Sequence, residues 1–132
     1  FPEWKVRGEG DMAWANGARS ASRHWVHLGD DEYYLTLNDG GEGEVRDVKS
    51  NQSGLAHLGF VVDDLEAVIE RLAAKNFRVD IVGRDHPFRK TVYFTDPAGF
   101  QFEFLQYSSD VSAEKNMYGG EIGALKRNEN TN

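Results

Sequence analysis

Residues 57–65, His57-Leu58-Gly59-Phe60-Val61-Val62-Asp63-Asp64-Leu65, and residues 93–104, Tyr93-Phe94-Thr95-Asp96-Pro97-Ala98-Gly99-Phe100-Gln101-Phe102-Glu103-Phe104, decide the fold. Strands alternate their side chains between two faces. In a strand over Leu55–Val62, Ala56, Leu58, Phe60 and Val62 point one way and His57, Gly59 and Val61 the other. Asp63 with Glu66 has the spacing of a capping box. Leu65, Val68, Ile69, Leu72 and Ala73 then mark one face of an amphipathic helix, with Asn76 as its stop. Phe77–Val82, Thr91–Thr95 and Phe100–Tyr107 read as three further strands, the last two joined by an Asp96-Pro97-Ala98-Gly99 turn. Gly54–Tyr107 is thus a strand–helix–strand–strand–strand unit. Phe100, Phe102 and Phe104 are expected to cover the helix side. Glu103 then shares the opposite sheet face with His57, 46 positions earlier.

Toward the N-terminus the signals are shorter. Trp4-Lys5-Val6 reads as extended, Gly8–Asp11 as a turn, Met12–Ala15 as extended again, and Asn16-Gly17 as a turn. Arg23–Leu28 and Glu32–Asn38 read as two strands, with Tyr33, Leu35 and Leu37 on one face of the second and Glu32, Tyr34 and Thr36 on the other. Residues 39–53 are polar and glycine-bearing, as a linker would be. Residues 108–132 form a C-terminal extension, with a short helix expected over Val111–Tyr118, Met117, Tyr118, Ile122 and Leu125 available for docking, and a frayed end.

Composition narrows the function classes. The chain has 132 residues, 39% hydrophobic and 12% aromatic, enough for one domain with a modest core. A formal charge of −7 argues against non-specific nucleic-acid binding and against an anionic membrane surface. No apolar run approaches the roughly 18–20 residues that span a bilayer. The lack of cysteine excludes thiolate chemistry and fits a cytoplasmic protein. The chain opens on Phe1-Pro2-Glu3-Trp4 without an initiator methionine, so upstream residues are expected.

The two quoted stretches resemble the second half of a vicinal oxygen chelate domain, the superfamily of glyoxalase I, extradiol dioxygenases, fosfomycin-resistance enzymes and bleomycin-binding proteins. The resemblance covers about residues 54–107. It implies an α+β fold of paired βαβββ modules forming a cup, with ligands to a divalent metal (Mn, Fe, Ni, Zn or Mg) on the inner strands. The expected organisation is one domain over 1–107: a partial first module at 1–38, the linker at 39–53 and a complete second module at 54–107. The first module's opening strand and helix would precede Phe1. On this resemblance His57 and Glu103 are metal ligands and Glu103 is also the catalytic residue. The last strand of the first module places Tyr34, a poor ligand, at a further ligand position.

The residues also leave blander readings open. His57 can be a fold-typical histidine in a non-catalytic cup. Glu103 can be a solvated carboxylate or one paired with Arg89 or Lys90. Leaving it unpaired among phenylalanines would be costly, which favours a partner. His24 and His27 fall on opposite faces of one strand and are not a zinc motif. Arg89 and Lys90, in a loop after His86-Pro87-Phe88, either clamp an anionic substrate group or form a solvated basic turn. Trp25, Tyr34 and Tyr93, with Trp14, either line a pocket for a flat or cationic ligand or serve packing.

Two functions follow. One is a metal-dependent lyase or isomerase, or a dioxygenase-like enzyme, acting on a small oxygen-rich substrate. The other is a protein that sequesters a small aromatic or cationic compound without chemistry. If the first module lacks its helix, the face of Tyr33, Leu35 and Leu37 needs cover, so a homodimer is expected.

Overall fold

The computed structural model describes the backbone of residues 1–16 and 19–118, and the side chains of these residues outside 14–21. The chain divides into two compact units, Phe1–Glu44 and Val45–Asn132. The boundary falls inside the polar stretch 39–53.

The first unit is an antiparallel sheet of β1 (Lys5–Asn16), β2 (Arg19–Gly29) and β3 (Tyr34–Asn38), in that order. The expected turn at Gly8–Asp11 is not there. β1 runs through it, with a register irregularity between Val6 and Gly8. The physical reason is Trp25, which lies opposite Gly10. A Cβ added at Gly10 would come within 3.1 Å of the Trp25 ring, and one at Gly8 within 3.8 Å. The two glycines make room for an indole on the sheet face rather than bending the chain.

The turn between β2 and β3 is fixed by Asp30. Its carboxylate accepts the backbone N–H groups of Tyr33 and Glu32, and the Trp4 indole N–H at 3.0 Å. These bonds hold the Asp30 carboxyl below its ordinary range. The Asn16-Gly17 turn, the side chain of Trp14, and the Ile122 and Leu125 docking positions lie outside the described residues.

The second unit follows the expected order: β4 (Leu58–Val61), α1 (Leu65–Ala73), β5 (Ile81–Val82), β6 (Arg89–Thr95), β7 (Gln101–Tyr107) and a short α2 (Ser112–Lys115). Its sheet has the order β4-β7-β6-β5, with β4 parallel to β7 and the other pairs antiparallel. The N-cap of α1 is Asp64, not Asp63: the Asp64 carboxylate accepts the Ala67 N–H at 2.9 Å. Asn76 stops the helix with φ +66°, and the Phe77 N–H reaches back to the Leu72 carbonyl, closing a Schellman-type end.

The buried core is Leu65, Val68, Val92, Phe94 and Leu105, and Val62, Ile69, Leu72, Val79 and Phe104 pack against its Leu65–Val92–Phe94 cluster. Phe100 does not join the helix-side cover; it precedes β7 and is 53% exposed. The strand expected over Phe77–Val82 shortens to two paired residues. Arg89 belongs to β6 rather than to the loop before it. The expected helix over Val111–Tyr118 is one turn, Ser112–Lys115.

Residues 45–53 fold onto the second unit. The Arg46 guanidinium donates to the Gln52 and Leu55 carbonyls. Gly99, at φ +82°, packs against Val45 and Arg46 so closely that a side chain there would strike the Arg46 backbone.

Candidate functional site

Glu103 stands in the central part of the second unit's sheet because β7 has a neighbour on each side. Gly59 of β4 and Tyr93 of β6 are its cross-strand partners. His57 precedes β4 and has the same side-chain parity as Gly59. Alternation therefore brings His57, Gly59, Tyr93 and Glu103 to one face. His57 Nε2 lies 3.2 Å from Glu103 Oε2. The second carboxylate oxygen, Oε1, accepts the Tyr93 hydroxyl at 3.0 Å. The Tyr93 ring also meets the His57 ring edge-on, with centroids 5.4 Å apart.

The Glu103 side chain is 19% exposed and that of His57 38%, so the carboxylate is shielded and the imidazole faces outward. The carboxylate meets His57 and Tyr93, the latter a partner the sequence reading did not name, rather than the Arg89 or Lys90 it offered. Burial first, then the Glu103 charge and the hydrogen bond to it, push the Tyr93 phenol up to about 12; Arg89 opposes the shift.

Arg89 lies on the same face of β6, opposite Tyr107 of β7. Its guanidinium stacks on Tyr118 at 4.5 Å and donates to the Lys115 carbonyl. The His86 imidazole is bonded to the Met117 carbonyl and to the Phe88 N–H. Residues 112–118 therefore pack beside this end of the face. Met117 and Tyr118 are among the expected docking positions, but their place beside Arg89 and His86 is not legible in the sequence, because it lies beyond the resembling unit. Sequence reasoning missed the part played by Gly59, where an added Cβ would come within 3.3 Å of Glu103 Oε2. A small residue directly opposite a shielded carboxylate is the signal that was available.

Tyr34 and Trp25 belong to the first unit. There Trp25, His27 and Tyr34 form a row of rings, 4.7 and 4.6 Å between successive centroids, and Arg7 lies over Tyr34 at 5.1 Å. His24 is on the other face, as alternation requires. It bonds Asp11 at 3.0 Å, which raises the imidazole's pKa.

The His57–Glu103 pair has the donor chemistry of a divalent-metal site. Ligands about 2.0–2.1 Å from an ion lie about 2.8–3.4 Å apart between right and tetrahedral angles, and 3.2 Å falls in that interval. The missing side chain at Gly59 keeps the space beside Oε2 open. The pair fits two neighbouring positions of a coordination sphere. Among the described residues no group of three or more His, Cys, Asp or Glu side chains comes together to hold an ion.

Comparison with known proteins now gives the class. Residues 3–104 match the family model of the Glyoxalase/Bleomycin resistance protein/Dioxygenase superfamily, and the chain belongs to that superfamily. The fold is shared with a glyoxalase family protein from Bacillus cereus, at a TM-score of 0.64 and 13% identity over 80% of this chain and 79% of that one. It is also shared with a glyoxylase/bleomycin resistance protein/dioxygenase domain from Frankia sp. EAN1pec, at a TM-score of 0.59 and 22% identity over 86% of this chain and 80% of that one. At these identities the two structures speak for the fold.

Proposed function

We propose that this chain is a divalent-metal-dependent lyase or isomerase acting on a small, oxygen-rich substrate. The observation that carries the reading is the approach of His57 Nε2 to Glu103 Oε2 at 3.2 Å on a face left open by Gly59. His57 and Glu103 would hold the ion, with water or substrate oxygens completing its coordination. When bound, the ion supplies Lewis acidity toward adjacent substrate oxygens.

The chain's own residues do the rest. Tyr93 keeps Glu103 Oε1 engaged, which leaves Oε2 as the oxygen directed at the reacting groups. The Glu103 carboxylate, when not engaged by the ion, would be the group that accepts a substrate proton and returns it to a neighbouring position, as an isomerase requires. Arg89, on the same face, orients an anionic end of the substrate.

Protein purified without chelator should carry a divalent metal by elemental analysis. It should also melt higher with at least one of Mn, Fe, Ni, Zn or Mg, and His57→Ala and Glu103→Ala should each abolish the shift. No bound metal, and no shift with any of the five, would sink the reading.

A second reading has its own observation, the Trp25–His27–Tyr34 row with a cation already lying on the Tyr34 ring. Such a surface suits a flat or cationic compound held without chemistry. Thermal-shift screening in chelator discriminates. Binding that needs no metal and survives His57→Ala supports sequestration over catalysis.

A further inference from the structure

We propose that Tyr93 is the positioning residue of this site, the group that turns the Glu103 carboxylate so that Oε2 faces His57. This deepens the metal reading and rests on it for one of its two tests.

The geometry is specific. Tyr93 and Glu103 are direct partners across the antiparallel β6–β7 pair. The Tyr93 hydroxyl donates to Oε1 at 3.0 Å while Oε2 lies 3.2 Å from His57 Nε2. Glu has three side-chain torsions, and a carboxylate fixed at one oxygen loses the rotations that would carry the other oxygen elsewhere. The same tyrosine presses its ring edge to the His57 imidazole at 74° between planes, so a single side chain restrains both members of the pair.

On the β4 side the cross-strand partner of Glu103 is Gly59, which has no side chain to crowd Oε2. Tyr93 pulls from one strand and Gly59 leaves room on the other. The hydroxyl is thereby committed to the protein rather than to a substrate. Groups that orient first-sphere carboxylates and imidazoles in this way set metal affinity without touching the ion.

Tyr93→Phe removes the hydroxyl and keeps the ring. Where that variant fails to fold, 4-fluorophenylalanine at position 93 fills the hydroxyl's place and cannot donate. Affinity for Mn²⁺ and Zn²⁺ is read by competition with a chromophoric chelator, alongside crystal structures of wild type and variant without added metal. The expected result is a 10–100-fold loss of affinity, with Glu103 turned away from His57 in the variant crystal. Unchanged affinity in a folded variant overturns the inference and leaves the metal reading standing. If wild type binds neither ion, the affinity arm falls away and the crystals decide alone. A displaced Glu103 then supports the positioning role, and a Glu103 that keeps its place refutes it.

Discussion

Glu103 is the residue on which the site turns, and its surroundings make a spectroscopic prediction. In the folded protein the Tyr93 phenol ionises at about 12. A raised phenol means that stability contributed by this group is complete below its ordinary value near pH 10 and is lost as pH rises through about 12. In metal-free protein kept in chelator, Glu103→Gln removes the charge but leaves the burial. The highest tyrosinate transition at 295 nm should move down in that variant and stay above the ordinary range. An unchanged titration would mean that the carboxylate does not face Tyr93. At this scale the sequence was legible where alternation alone decides, since period two puts His57 and Glu103 on one face. The Tyr93–Glu103 bond was not, because cross-strand register depends on turn geometry. Both residues stand five positions from Ala98, the centre of a loop closed by the Asp96 N–H on the Phe100 carbonyl, whereas counting outward from an Asp96–Gly99 turn pairs Tyr93 with Phe102.

Elements were legible where several signals agreed. The apolar spacing of α1 gave its buried face, and Leu65 is 2% exposed against Val92 and Phe94. Leu65→Ala should cost about 2–5 kcal/mol in urea unfolding, and Asp64→Ala about 1 kcal/mol. The reverse ranking would show that the cap, not the core, holds the helix. Adjacent aspartates hid the cap's identity, since Asp63 and Asp64 have the same chemistry and only backbone geometry separates them. β1 was misread for a tertiary reason. Gly8 and Gly10 carry a turn signal locally, but Trp25 on the next strand needs their missing side chains. The helix expected over Val111–Tyr118 ends at Lys115, with Asn116 as its C-cap, so Met117 and Tyr118 dock outside it. In the structure Tyr118 stacks on Arg89 and the Met117 carbonyl meets His86.

At the scale of the whole molecule, the first unit presents an apolar sheet face. Leu35 and Leu37 pair with Leu28 and Val26 on one side of that sheet, and Leu37 is 51% exposed. We propose that a second copy of the chain covers this face. The wild type should scatter light as a dimer, and Leu35→Lys with Leu37→Lys should reduce it to a folded monomer. A folded double variant with unaltered dimer mass would place the interface elsewhere, and a wild type monomeric at high concentration would end the dimer proposal. The parallel pairing of β4 with β7 has a consequence in time as well as in space. β6 and β7 join through a tight turn and close locally, but among the described residues β4 pairs with β7 alone, a strand that the chain supplies some 40 residues later. Loop-closure entropy therefore makes β4 a late arrival. His57 meets Glu103 only when that long loop shuts, so folding completes the chemistry last. Pulsed amide labelling during refolding should protect Gln101–Tyr107 before Leu58–Val61, and the reverse order would overturn this reading.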